Sequence, residues 1–309
     1  MNQRGCIVLD KIFPNFPKAL KNNIIRKAVE CSHDAYWLRF ENQSYLFKTC
    51  DSNPEIMKSL LVEKMAVNSG IETVKTRYAT LGYSIGELIL DYRKNGYRYI
   101  NGAQILKEYY EYLKGINQLE VLRIPNIENL TETAILNQMN HLETIWNALE
   151  FHYRKLDPML CATNVQRIMR KHAQRFCLDF LTMQSDRYNE NWEIAENIIT
   201  EEADLTPLYD SSKSFDLLNF YLKIGITSVP RYNTYRVLEE LMDSSDNYTK
   251  KYFEQLYQEN SPEKIAAYLN ELSNEHGLKL SVEETQEILA SYTKNYEIIA
   301  EMLQKEKRR

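Results

Sequence analysis

The sequence predicts an α+β protein in two unequal parts, a small mixed part over residues 1–95 and a larger, mostly helical part over 96–309. Three observations predict it. Residues 36–40 and 44–48 are short, aromatic-rich runs flanking Glu41-Asn42-Gln43, the pattern of a β-hairpin with a polar turn. Arg93-Lys94-Asn95-Gly96 reads as a turn between the parts. From Gly102 onward, apolar residues recur at helical spacing almost without interruption.

Composition narrows the classes of function. A chain of 309 residues is long enough to bury a large core. Its 38 Lys+Arg against 43 Asp+Glu give a net charge of −5, so the basic excess of a general nucleic-acid binder is missing, although local basic patches stay open. Nine glycines are under half of the usual share of roughly 7%. The sequence holds neither G-x-G-x-x-G nor G-x-x-x-x-G-K-[ST], which excludes the two common glycine-rich phosphate loops. The 22 tyrosines fit amphipathic helices with a wet edge, the ring packed and the hydroxyl solvated. Cys6, Cys31, Cys50, Cys161 and Cys177 are odd in number and never spaced C-x-x-C, which suits a reducing cytoplasm better than disulfides or a zinc site. The sequence predicts no signal peptide and no membrane span, because it lacks an apolar h-region at its start and any run of 18 apolar residues.

In the second hairpin run, Tyr45 and Phe47 share one face while Ser44, Leu46 and Lys48 share the other. Asn53-Pro54 then opens a helix, with Asn53 as N-cap and Pro54 at the first turn, and Gly70 closes it. Ile56, Leu60 and Val67 form its stripe, and Glu63 falls between them. Two readings of Glu63 stand at this point: a residue at the stripe's edge, or an inward carboxylate paired with a cation, for which Lys48 is the nearest strand-borne candidate. Further strand-like runs lie within 71–92, notably 84–90. Helical runs cover 103–119, 132–151 and 164–183, and Ser281-x-x-Glu284 is a capping box for the last helix. Its stripe is Val282, Ile288, Leu289, Tyr292, Tyr296, Ile299 and Leu303. The helix over 164–183 carries Ile168, His172, Phe176 and Phe180 on one face, making His172 a core residue and leaving Asp179 to solvent. Tyr109, Tyr110 and Tyr112 pack or line a surface, and no two of the five histidines stand at metal-ligand spacing.

One stretch breaks the helical rhythm: Ser185-Asp186-Arg187-Tyr188-Asn189-Glu190-Asn191-Trp192, followed by a hairpin over 192–203 and by Leu205-Thr206-Pro207-Leu208-Tyr209-Asp210. Each acidic or amide residue taken singly is as well explained by a turn. Together, an Asp, an Asn five residues on and a second Asp brought back by a hairpin are the groups phosphoryl transfer uses, one to accept a hydroxyl proton and two to hold Mg2+ on phosphates.

On these residues the chain resembles the HipA-like Ser/Thr protein kinases, in their compact single-chain form. Asp186-Arg187-Tyr188-Asn189-Glu190-Asn191 is similar to the family's D-R-H-x-x-N with Tyr188 for histidine, and Leu205-x-Pro207-Leu208-Tyr209-Asp210 to its L-x-P-x-Y-D. The resemblance, over most of residues 30–220, implies a bilobal protein-kinase-like fold, with residues 1–95 as the nucleotide-binding N-lobe and 96–309 as the helical C-lobe. It implies ATP and Mg2+ as cofactors and transfer of the γ-phosphoryl group to Ser or Thr of a protein, with autophosphorylation open and Ser211, Ser212 and Ser214 as conceivable acceptors. By the same resemblance, Asp186 is the catalytic base, Asn191 and Asp210 hold the metal, and Lys48, paired with Glu63, binds nucleotide. Leu88 and Leu90 meet adenine through their main chains, and Tyr188 stands in the nucleotide site. The segment 31–35, expected over the phosphates, has no glycine, and Asp34 there repels them. A DNA-binding antitoxin partner is allowed but not implied, and neither membrane nor direct nucleic-acid binding is expected. Two alternatives stay open: a pseudokinase or nucleotide-sensing module, and a kinase of small molecules or lipids.

Overall fold

The computed structural model describes residues 5–13, 25–27, 34–187, 189–217, 220 and 247–306. Six strands form one sheet: β1 (Ile7–Val8), β2 (Ile25–Lys27), β3 (Ala35–Phe40), β4 (Gln43–Cys50), β5 (Thr76–Leu81) and β6 (Ser84–Leu90), in the order β1-β5-β6-β4-β3-β2. All pairs are antiparallel except β1 with β5. The β3–β4 hairpin closes on two residues, Glu41 and Asn42, both at positive φ (52° and 60°). That conformation matches the twist of the flanking strands, and Asn tolerates it.

The period of two divides this sheet into faces with different work. Phe47, Leu88, Ala79, Leu81 and Leu38 pack under Ile7, Leu9 and Phe13 in a small core. The opposite face, carrying Lys48, meets α1 (Asn53–Asn68). The cap of α1 is Ser52 rather than Asn53, so Pro54 is its second residue. Its buried face runs through Ile56, Met57, Leu60, Leu61, Val62, Met65 and Ala66, while Val67 is 59% exposed and points outward. The stripe is thus rotated from the predicted one, which puts Glu63 at its edge.

The remainder is built around α5. In chain order come β7 (Tyr97–Asn101), α2 (Gly102–Gly115), α3 (Glu132–Gln138), α4 (Leu142–Tyr153), α5 (Pro158–Leu181), β8 (Glu193–Asn197), β9 (Ala203–Leu205), α6 (Asn247–Glu259), α7 (Pro262–His276) and α8 (Val282–Glu306). β7, β8 and β9 form a second, antiparallel sheet. The single helix expected over 132–151 is two, because Asn140 leaves the helical path and is fully buried against the loop described below. α5 starts six residues earlier than expected, where Asp157 accepts from the N–H groups of Met159 and Leu160 and Pro158 takes the first position. The capping box of α8 is reciprocal: Ser281 N–H donates to Glu284 (2.7 Å) and Glu284 N–H to Ser281 Oγ (3.1 Å). Along α8, Ile288, Tyr292, Ile299 and Leu303 are buried as the stripe predicts, but Val282 is exposed. No helix among the described residues is long and apolar enough to cross a membrane.

Candidate active site

The loop after α5 is organised by one buried cation. Arg187 donates from Nε and Nη2 to the two oxygens of Asp179 (3.0 and 3.2 Å), with side-chain exposures of 3% and 1%. Its Nη1 donates to the carbonyl of Tyr209 (2.6 Å) and its Nη2 to Ser211 Oγ (3.2 Å). One guanidinium therefore ties α5 to the segment on both sides of Asp210. This corrects the expectation of a solvent-facing Asp179, whose partner lies beyond the helix end. Asn140 completes the arrangement, donating to the Arg187 carbonyl (3.2 Å) and accepting from Trp192 Nε1 (3.1 Å). Trp192 lies against Gly102, where an added Cβ would stand 2.1 Å from the indole. His172 meets that indole edge-on, ring centroids 4.6 Å apart, and is buried as expected.

The sequence-predicted acidic and amide residues come together through Gln184, which sequence reading did not single out. Its Nε2 donates to the Asp210 carbonyl (3.0 Å), and its Oε1 accepts from Asp186 N–H (3.1 Å). Asn191 Nδ2 donates to the Asp186 carbonyl at 2.7 Å. The segment leading to Asp210 is fastened to the chain following α1: Leu208 N–H donates to the Glu72 carbonyl (2.8 Å) and Val74 N–H to the Leu208 carbonyl (3.0 Å). Asp210 itself adopts φ 56°.

These restraints bring Asp210 to Lys48, 162 positions earlier in the chain, where Nζ donates to Oδ1 at 2.7 Å. Side-chain exposures are 15% for Lys48 and 33% for Asp210. Burial works against the Lys48 ammonium, but the charges of Asp210 and Glu87 outweigh it and hold its pKa above the usual lysine value. Burial would likewise raise Asp210, yet the Lys48 charge and hydrogen bond pull it below the ordinary carboxylate range. Beyond Asp210, the Lys213 carbonyl accepts from Ser185 Oγ (3.3 Å), and its ammonium pairs with Glu55 of α1. Ser211, Ser212 and Ser214 are buried (6%, 8% and 0% exposed), and Ser211 Oγ accepts from Arg187.

Other predicted positions fall differently. Glu63 does not pair with Lys48; its Oε2 accepts from Thr76 N–H at 3.0 Å, and burial raises its pKa to about 7 against the effect of that bond. The rotated stripe of α1 is the reason. Leu88 lies mid-strand in β6, which is paired on both edges, opposite Phe47 and Arg77, and Leu90 N–H donates to the Lys75 carbonyl at 3.0 Å. Pairing thus takes up the Leu90 N–H, one of the main-chain groups expected to meet adenine. Tyr188 and residues 31–33 lie outside the described residues. The residue opposite Lys48 in the ladder is Glu87, 3% exposed, which sequence reading passed over.

The donor set suits magnesium. Asp210 supplies a carboxylate, and because the Nδ2 end of Asn191 is engaged at Asp186, a cation would meet the amide oxygen. Two hard oxygen ligands are what Mg2+ takes when phosphates and waters complete its octahedron. Among the described residues no group of three His, Cys, Asp or Glu side chains could hold a metal unaided. A separate groove of about 1770 Å³, lined by Glu63, Lys75, Tyr92, Tyr97 and Pro207 among others, includes none of Lys48, Asp186, Asn191 and Asp210.

No protein-family model matches the chain, and no curated protein matches its sequence. Solved structures do match. One is the Helicobacter pylori proinflammatory kinase CtkA, with a TM-score of 0.57 and 13% identity over 86% of this chain and 92% of that one. Another is the Shewanella oneidensis complex of HipA, HipB and operator DNA, with a TM-score of 0.50 and 11% identity over 89% of this chain and 63% of that one. At such identities the likeness speaks for architecture, and the architecture of this chain is protein-kinase-like, a sheet-bearing N-terminal region followed by a helical C-terminal part.

Proposed function

We propose that the chain is a HipA-like kinase that uses ATP and Mg2+ to transfer the γ-phosphoryl group to a Ser or Thr hydroxyl of a protein, with residues 1–95 and 96–309 as its two lobes. The observation that supports it most is the contact of Lys48 Nζ with Asp210 Oδ1 at 2.7 Å, within a network that also ties Asp210 to Asp186 and Asn191. An ammonium, two carboxylates and an amide on segments tied together by these bonds are the complement of a triphosphate and its cation. The fold shared with a kinase supports the same reading.

In this mechanism Lys48 leaves Asp210 to bind the α- and β-phosphates of the nucleotide. Asp210 and Asn191 would hold Mg2+, and the bound cation would supply charge neutralisation at the phosphoryl oxygens. Asp186 orients the acceptor hydroxyl and takes its proton as the oxygen attacks the γ-phosphorus and the bond from that phosphorus to the β,γ-bridging oxygen breaks, releasing ADP. Gln184 and Arg187 keep the two loops in register, so the base and the cation ligands stand at fixed separation.

Incubation with ATP and Mg2+ followed by intact-mass analysis, on the protein alone and with a mixture of proteins, tests the proposal. Wild type is expected to add phosphoryl groups of 80 Da to itself or to the added proteins, while Asp186→Asn and Asp210→Ala lose transfer by about a thousandfold or more and stay folded. Full transfer by either folded variant refutes the assignment, and nucleotide binding without any transfer by wild type favours a nucleotide-sensing module.

A further inference from the structure

Two carboxylates of different kinds act on the Lys48 ammonium, Asp210 through a hydrogen bond and Glu87 through its charge. Asp210 sits on a loop and, in the reading above, holds a cation. Glu87 sits in the middle strand of the sheet, directly opposite Lys48 in the β4–β6 ladder, with its side chain on the same face. The register is enforced locally: an added Cβ at Gly86 would stand 2.2 Å from the Lys48 carbonyl, so only glycine lets the strands approach this closely. Glu87 is 3% exposed, and its Oε1 lacks a hydrogen-bond partner among the described residues. Ser59 of α1 attends the carboxylate from the helix side. A buried acceptor left unmatched beside an ammonium is a position prepared for a donor that is elsewhere in this state. The Lys48 ammonium, borne on the same face of the sheet, is bonded to Asp210 instead.

We propose that Glu87 is the positioning residue for Lys48 in the nucleotide-bound state, the role in which the helix residue Glu63 was expected; this rests on the nucleotide site proposed above. Once a cation occupies Asp210, Lys48 loses that partner. Glu87, fixed in a central strand, then balances the ammonium from behind and aims it at the phosphates. Glu63 is engaged by the Thr76 N–H and does not reach Lys48.

The test is calorimetric titration of AMP-PNP with excess Mg2+ into wild type, Glu87→Gln, Glu87→Asp, Glu63→Gln, Lys48→Met and the Lys48→Met/Glu87→Gln double variant. Glu87→Gln is expected to weaken binding by about tenfold or more, Glu87→Asp to recover part of the loss, and Glu63→Gln to cost several-fold less. In the Lys48→Met background, Glu87→Gln is expected to add nothing, because Glu87 acts only through Lys48. Glu87→Gln binding like wild type, or an equal loss in the Lys48→Met background, overturns the role of Glu87 and leaves the nucleotide site standing. Wild-type affinity in Lys48→Met overturns the nucleotide site itself. If Glu87→Gln does not fold, Glu87→Asp carries the test: wild-type affinity overturns the proposal, and a loss abolished by Lys48→Met supports it.

Discussion

Removing Asp179 should damage the molecule more than removing its partner Arg187. The pair is bidentate and nearly dry, and a second guanidinium, Arg175, is buried close by at 4% exposure, with its Nη1 unpartnered among the described residues. Burial first, and then the charge of Arg187, lowers Arg175 to about 10, so the two cations already strain against each other across one carboxylate. Asp179→Leu strands both. Guanidiniums do not shed their protons at neutral pH, so no neutralisation relieves the charge. Breaking a buried pair costs about 3–5 kcal/mol, and this variant should lie at the upper end. In Arg187→Met the Tyr209 carbonyl and Ser211 Oγ lose their Arg187 donors, but the one charged orphan is a carboxyl group whose pKa burial already raises, and Arg175 remains beside it. That variant should lose about 1–2 kcal/mol less. Urea unfolding at pH 7 with linear extrapolation reads both values, and adding Arg175→Met to Asp179→Leu should restore about 1–2 kcal/mol. An Asp179→Leu protein within about 1 kcal/mol of wild type, or less affected than Arg187→Met, would refute the reasoning.

Two further outcomes follow from the same geometry. Gly102→Ala pushes a methyl group into the Trp192 indole, displacing the residue next to Asn191; stability should fall by about 2–3 kcal/mol, with phosphoryl transfer falling further than the loss of folded protein explains, as a melt and the mass assay measured together would show. Glu63→Gln should stabilise the fold in a pH-dependent way. With the Glu63 carboxyl raised from 4.5 to about 7, its burial costs nothing below pH 4.5, and the penalty grows as pH rises from 4.5 to 7. The variant should therefore gain about 1–3 kcal/mol over wild type at pH 8 and under about 1 at pH 5, and an equal gain at both pH values would exclude the buried carboxylate as its source.

Local signals in the sequence led to local structure. The β3–β4 hairpin follows from alternation around a polar turn, the α8 start from a reciprocal cap, and the β8–β9 hairpin from the break in helical rhythm that precedes it. What escaped depends on partners distant in the chain or across a turn. Asp179 faces inward because Arg187 folds back onto it after the helix has ended at Leu181. Asn140 interrupts a helical pattern because it is held by Arg187 and Trp192, about fifty positions later. Glu87 reads as a polar interruption of an apolar strand, and only the ladder register puts it opposite Lys48. The stripe of the first helix leaves Glu63 open between an edge position and an inward one, and only the family resemblance pairs it with Lys48; with Val67 turned outward, Glu63 lies at the edge and accepts from Thr76 N–H instead. The Lys48–Asp210 contact joins two motifs 162 residues apart, a separation no periodicity reports.

One nucleotide and its cation are expected to sit between Lys48, Asn191 and Asp210. Crystals grown with AMP-PNP and Mn2+ in place of Mg2+ would locate the cation from its anomalous signal. The expected peak lies within coordination distance, about 2.2 Å, of an Asp210 carboxylate oxygen and the Asn191 amide oxygen, with Lys48 Nζ moved from Asp210 onto a phosphate. A nucleotide bound elsewhere, such as in the 1770 Å³ groove, with the Lys48–Asp210 pair unbroken, would contradict it.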